Sequence, residues 1–79
     1  MFTKIIMPPL GDTTDEARIV KWEKKEGDAL KKGDKLFEVE TDKTTLDVEA
    51  LSSGVLGEIV VHDDQIARVG DVVGWIIEE

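Results

Sequence analysis

Polar and apolar residues alternate most regularly between Phe37 and Ala50. Phe37, Val39 and Thr41 interleave with Glu38, Glu40 and Asp42, and Leu46, Val48 and Ala50 interleave with Thr45, Asp47 and Glu49. A period of two marks a strand with one buried face. With Asp42 and Lys43 as the central residues of a turn, Thr41 faces Thr44, Val39 faces Leu46 and Phe37 faces Val48. Glu40 opposite Thr45, and Glu38 opposite Asp47, then share the outer face. A slip of one residue would pair Val39 with an outward threonine or aspartate and expose the apolar set. Burial therefore fixes the register and predicts Lys43 at the hairpin tip. Asp-Lys lacks the glycine that primed two-residue turns favour, so a type I turn is expected. Glu38 against Asp47 is a mildly unfavourable cross-strand pair.

Elsewhere, proline and glycine cut the chain into short pieces at Pro8, Pro9, Gly11, Gly27, Gly33, Gly54, Gly57, Gly70 and Gly74. Few windows between them are long enough for a helix. The intervening segments are rich in β-branched and aromatic residues and predict strands over 4–7, 17–22, 35–41, 45–50, 57–61 and 72–77. The expected class is all-β, a sandwich or flattened barrel. An internal repeat strengthens this. An offset of 37 residues sets Ile19 on Leu56, Trp22 on Ile59, Leu30 on Ala67, Leu36 on Val73 and Val39 on Ile76. It also sets Gly33-Asp34 on Gly70-Asp71, and Ala17 on Gly54. Apolar positions coincide while exposed ones drift, which predicts two similar halves packed face to face about a pseudo-twofold axis.

With 79 residues the chain fits one domain, 1–79, with a thin core and no cysteine to staple it. The lack of cysteine also removes thiol catalysis and cysteine-bound metal. Eighteen acidic against ten basic residues give a net charge of −8. Such a surface repels phosphate backbones and anionic lipid, which argues against nucleic-acid and membrane partners and suits a basic docking site. Met1 to Leu10 has too short an apolar stretch for a signal peptide.

Catalytic machinery is hard to assemble from these residues. His62 is the one histidine and stands beside Asp63-Asp64, as a solvated loop residue would. The acidic stretch Asp12 to Glu16 lacks calcium-loop spacing, Gly54-Val55-Leu56-Gly57 is not a phosphate loop, and Trp22 and Trp75 are expected to pack in or over the core. The feature with chemical potential is the lysine at the tip. A lysine amine in water is protonated and a poor nucleophile until an enzyme accepts it. A protruding turn can enter an enzyme pocket where a mid-strand lysine could not. A solvated polar turn would look the same locally, so the surrounding sequence has to decide.

Glu40-Thr41-Asp42-Lys43, followed by Thr44 to Ala50, resembles the lipoyl-attachment motif of lipoyl domains, the carrier modules of dihydrolipoyl acyltransferases in 2-oxo acid dehydrogenase complexes. Met7 to Gly11, Ala17 to Trp22, Glu26-Gly27-Asp28, Lys32-Gly33-Asp34 and Ser53-Gly54 are also similar to family blocks, so the resemblance covers nearly the whole chain. It implies a flattened barrel or sandwich of two four-stranded antiparallel sheets with pseudo-twofold symmetry. It also implies lipoic acid in amide linkage on Lys43, with Glu40, Thr41, Asp42 and Thr44 flanking it, and a non-catalytic carrier role. The implied partners are a lipoate ligase or lipoyl transferase, a thiamine-diphosphate-dependent decarboxylase-dehydrogenase, the acyltransferase core and dihydrolipoyl dehydrogenase. The implied setting is the cytoplasm, or the mitochondrial matrix in a eukaryote, and the isolated domain is expected to be monomeric.

Three further features follow from the resemblance. The loop Gly11-Asp12-Thr13-Thr14-Asp15 corresponds to the family's partner-recognition loop beside the lysine turn. Asp64 stands where the second half would carry a glycine matching Gly27, and aspartate tolerates the left-handed backbone needed there. Ala67 opposite Leu30 in the repeat suggests a less filled core. Biotinyl carrier domains are an alternative with a related fold, but they flank their lysine with methionines where this chain has Asp42 and Thr44. An unmodified β interaction domain is the other alternative. The start at Met1 suits a natural amino terminus, and the end at Glu79 without a linker suits a piece of a longer acyltransferase.

Overall fold

The computed structural model describes residues 1–11 and 14–78, and among them every regular element is a strand. In chain order these are β1 (Phe2–Ile6), β2 (Glu16–Trp22), β3 (Ala29–Leu30), β4 (Lys35–Glu40), β5 (Thr45–Glu49), β6 (Gly54–Ile59), β7 (Ile66–Arg68) and β8 (Val72–Ile77). They form two four-stranded sheets, ordered β1-β8-β6-β3 and β5-β4-β2-β7, with every pairing antiparallel. The sheets pack as a flattened sandwich and do not close into a barrel. Six of the strands were expected. The two- and three-residue strands β3 and β7 are too short to show a period. The expected strand at 57–61 in fact begins at Gly54. Glycine is inside that strand because a Cβ at position 54 would collide with the Ile77 carbonyl oxygen of the neighbouring strand.

The two sheets are copies of each other. Strands β2, β3 and β4 map onto β6, β7 and β8 at the 37-residue offset, and the sheet orders then superimpose element by element. Turn hydrogen bonds repeat with them. Asp28 Oδ2 accepts the Lys25 amide at 2.8 Å, as Gln65 Oε1 accepts the His62 amide at 2.7 Å. Asp34 Oδ2 accepts the Lys31 amide as Asp71 Oδ2 accepts that of Arg68, both at 2.9 Å. Gly27 and Asp64 both take positive φ, 93° and 69°, so aspartate does hold the left-handed position.

The first strand of each half obeys a different offset. Met7 pairs its backbone with Gly70 and Asp71 as Ala50 pairs with Gly33 and Asp34, so β1 maps onto β5 at 43 residues. The six extra residues lie in the β1–β2 connection, which contains the candidate recognition loop.

The interior is one cluster shared by both sheets. Its largest fully buried side chains are Phe37, Met7, Ile19, Leu36, Leu56 and Ile76. Trp22 is buried with its ring centroid 4.5 Å from that of Phe37, and its Nε1 donates to the Val61 carbonyl at 2.8 Å. Trp75, by contrast, is only half-buried and lies on an outer face. Ala67 is fully buried opposite Ala17, whereas its repeat mate Leu30 lies opposite Gly54. The bulky residue and the missing side chain thus trade within one cross-strand pair.

The pseudo-twofold also relates the lysine turn to the chain ends. Thr41 donates its amide to the Thr44 carbonyl, and Glu78 donates its amide to the Met1 carbonyl, both at 2.8 Å. Residues 50–53 leave β5 at the end remote from the turn, and there Ser52 reaches Glu78, so turn and termini occupy opposite ends. Glu78 Oε1 accepts hydrogen bonds from Ser52 Oγ and Thr3 Oγ1, each 2.6 Å. These bonds, Ser52 first and Thr3 second, hold the carboxyl below its ordinary value. A folded-state value below the unfolded one of about 4.3 contributes stability that is present above that pH and lost as pH falls through and below it. Glu78→Gln should therefore have a lower urea midpoint than the parent at neutral pH, and the gap should shrink below about pH 4. A gap that stays constant into strong acid would contradict this role.

Candidate functional site

The β4–β5 hairpin adopts the register expected from burial: Phe37 opposite Val48, Glu38 opposite Asp47, Val39 opposite Leu46 and Glu40 opposite Thr45. Phe37, Val39, Val48 and Ala50 are buried, while Leu46 next to the tip is partly exposed. Alternation fails at one place, where Leu36 and Phe37 are both buried across a register shift between Lys35 and Phe37. The expected repulsion between Glu38 and Asp47 is answered by Lys35, whose Nζ lies 3.4 Å from Glu38 Oε1 and 3.1 Å from Asp47 Oδ1. These carboxylates, Asp47 foremost, raise the Lys35 pKa.

At the tip, Asp42 and Lys43 are exposed and neither takes positive φ, which excludes a primed turn. Thr41 closes the turn with its side chain. Its Oγ1 accepts the amides of Lys43 (3.3 Å) and Thr44 (3.2 Å) and donates to the Thr44 carbonyl at 3.1 Å. A hydroxyl clasp of this kind does locally what glycine's freedom would otherwise do. Thr44 is exposed and donates its own hydroxyl to the Thr45 carbonyl at 3.3 Å. Among the described residues, Lys43 makes no ion pair or side-chain hydrogen bond, so its amine projects into solvent.

The base of the turn is braced by a residue that sequence reasoning did not single out. Arg18 on β2 pairs with Glu40 Oε1 (3.0 Å) and Asp64 Oδ1 (2.7 Å), tying β4 to the β6–β7 connection. The Glu40 hydrogen bond is the main cause of a raised Arg18 pKa. All three side chains are solvent-accessible, so the brace contributes orientation more than stability. Its sequence signal was slight: an arginine among outward positions of β2, with partners 22 and 46 residues away.

Of the candidate recognition loop, Asp12 and Thr13 lie outside the described residues. Gly11 is exposed with φ 123°, the Thr14 amide points to its carbonyl at 3.4 Å, and the Asp15 carbonyl accepts the Val69 amide at 2.8 Å. The loop runs into β2 next to the lysine turn, since one shallow hollow is lined by Glu16, Arg18, Glu40, Thr41, Asp42 and Ile66.

The site is thus an exposed lysine at the apex of a clasped hairpin turn on a duplicated β sandwich. Residues 3–76 match the sequence profile of the Biotin_lipoyl family, described as "Biotin-requiring enzyme", and the chain belongs to that family. Over 78 residues it is 46% identical to the dihydrolipoyllysine-residue succinyltransferase component of the 2-oxoglutarate dehydrogenase complex of Rickettsia bellii, covering 99% of this chain and 20% of the relative. It is 40% identical over 77 residues to the dihydrolipoyllysine-residue acetyltransferase component of the pyruvate dehydrogenase complex of Rickettsia conorii, covering 96% and 19%. The chain thus spans about a fifth of the length of these relatives. Among solved structures, the lipoyl domain of the 2-oxoglutarate dehydrogenase complex from Azotobacter vinelandii superimposes with a TM-score of 0.78 at 29% identity, covering 95% of both chains.

Proposed function

We propose that the chain is a lipoyl carrier domain, spanning residues 1–79, and that Lys43 holds the lipoyl group. The observation that carries this reading is the exposed, unpaired Lys43 amine at the apex of a turn clasped by Thr41. The site fits the group chemically. Lipoic acid needs an accessible primary amine for amide formation, and a pendant arm needs open space around its root. Acylation of the amine consumes an activated lipoyl carboxyl, releases its leaving group and a proton, and takes the formal charge from −8 to −9. Once attached, the dithiolane supplies the acyl- and electron-carrying chemistry. The domain's own residues present it: Thr41 holds the turn, and Arg18, Glu40 and Asp64 fix the turn against β2 and the β6–β7 connection.

The relatives' names support a place in a 2-oxo acid dehydrogenase complex, in the bacterial cytoplasm or the mitochondrial matrix. There the arm would serve a thiamine-dependent decarboxylase, the acyltransferase core and dihydrolipoyl dehydrogenase in turn. Tethering raises its effective concentration at each site. The domain itself is non-catalytic in this reading, and the 11–15 loop beside the turn is the surface by which a decarboxylase would tell its own carrier from others.

Intact mass after incubation with a lipoate ligase, lipoic acid and ATP tests the assignment. One lipoyl adduct is expected on the parent and none on Lys43→Arg, which keeps the charge. An adduct mapped to Lys24, Lys31 or Lys35 would overturn the site. Biotin in place of lipoate, added by a biotin ligase, would overturn the cofactor.

A further inference from the structure

The internal symmetry lets each outer face serve as a control for the other, and the two differ in chemistry. On the outer face of the sheet that carries the lysine hairpin stand Arg18, Glu38, Glu40 and Thr45. Their mates on the other sheet, at offsets 37 and 43, are Val55, Trp75, Ile77 and Phe2. Four polar or charged residues thus correspond to four apolar ones at equivalent places in the same fold. The charged version is compatible with the architecture, so packing does not require the apolar one. Phe2 is 69% exposed, and Ile77 and Val55 are also open to solvent. A further difference shapes the surface: Gly57 replaces Val20 at the bulge, leaving a cleft of about 340 Å³ lined by Phe2, Gly57, Glu58, Trp75 and Ile77. A Cβ at position 57 would already touch the Ile77 side chain at 3.2 Å.

We infer that this face is a docking surface for a short, extended partner segment that inserts an apolar anchor beside Gly57 and carries lysine or arginine around it. Size and charge select that occupant. Three strands about 4.8 Å apart and about four residues deep give a patch of roughly 200 Å² in projection. A stable protein pair buries about 800 Å² on each partner, so a second copy would find too little area. Two copies would also bring together net charges of −8 each. A cationic segment is drawn by the same field, and Glu58 on the β6 side of the cleft offers it a direct contact, across β8 from the exposed Lys4 on β1. The patch lies on the sheet opposite the lysine hairpin and extends toward the termini. A partner there would leave Lys43 unobstructed. The inference stands on the paired faces and not on the lipoyl assignment.

The test uses two synthetic heptapeptides with the same Leu, Phe and Leu anchors, spaced by lysines in one and glutamates in the other. Amide chemical shifts of the isotope-labelled chain, titrated with the lysine peptide, should move at Phe2, Val55, Gly57, Trp75 and Ile77, with Arg18 and Glu40 unmoved. Transplanting the charged mates, as Val55→Arg with Ile77→Glu, should weaken binding at least about tenfold. Should that variant fold poorly, Phe2→Thr, which alters only an exposed residue, is expected to lower affinity in the same direction. The glutamate peptide should bind far more weakly than the lysine peptide. Shifts confined to the lysine-hairpin sheet, equal binding of both peptides, or unchanged binding by the transplanted variant would overturn the proposal. So would dimerisation through this face in sedimentation, which would make the occupant a second copy. Lipoylation of the transplanted variant, read by mass, reports on Lys43 separately and should match the parent.

Discussion

Moving the lysine by a single position, as Asp42→Lys with Lys43→Asp, will lower the initial rate of lipoylation about a hundredfold, the scale of loss that a misplacement near 1 Å produces in an oriented reaction. The swap conserves composition, charge and exposure, so only the direction of the side chain changes. Thr41 Oγ1 grips the amide of residue 43 and the amide and carbonyl of residue 44. That clasp defines which side chain sits at the apex, and it leaves position 42 on the flank that faces Arg18 and Ile66. Asp42→Ala and Thr44→Ala leave the clasp in place and should load near the parent rate. Thr41→Val keeps the shape but removes the hydroxyl. It should slow loading about tenfold, as expected for about 1.4 kcal/mol of lost orientation, and Thr41→Ser should restore it. Initial rates by intact mass decide the matter. A swapped lysine loaded at the parent rate would mean that the ligase reads exposure alone.

The largest expected change in stability is at Phe37. It is fully buried and packs against Trp22 with the rings tilted by 45°, in the core shared by the two sheets. Phe37→Ala should cost about 3–5 kcal/mol, combining lost transfer energy with a residual cavity. A chain of this size has little stability to lose, and its thermal midpoint should fall by at least about 12 °C. Leu46→Ala, two cross-strand pairs nearer the tip and already partly exposed, should cost under about 1 kcal/mol. Gly54→Ala belongs with Phe37, because its new methyl would meet the Ile77 backbone carbonyl, which cannot rotate away. Overpacking of that kind costs about 1–3 kcal/mol. Circular dichroism with urea unfolding measures all three, and a Phe37→Ala variant within about 1 kcal/mol of the parent would refute the central place given to this contact.

How far the fold was legible depended on whether a signal was local. The hairpin register could be read because a period of two with one buried face leaves a single workable pairing, and a slip of one residue would bury Asp47 or Glu38. The 37-residue repeat could be read because its apolar positions coincide without a gap. The 43-residue relation of β1 to β5 could not, since a six-residue insertion separates it from the rest and only Ile5 with Val48 and Met7 with Ala50 share burial. Strands β3 and β7 escaped notice because two or three residues cannot display a period. The shifted start of β6 escaped because glycine ordinarily marks a break, and here it marks a close approach between strands.

By itself, then, the sequence determined the all-β class, the duplicated halves and the position of Lys43 at a hairpin tip, because alternation and burial act over a few neighbouring residues. Tertiary structure decided which charges neutralise each other and which faces remain open. Lys35 between Glu38 and Asp47, Arg18 between Glu40 and Asp64, and the apolar face of Phe2, Val55, Trp75 and Ile77 each depend on strands distant in the chain. Their meeting is set by sheet order and register, which bring together side chains whose separation along the chain carries no periodic signal.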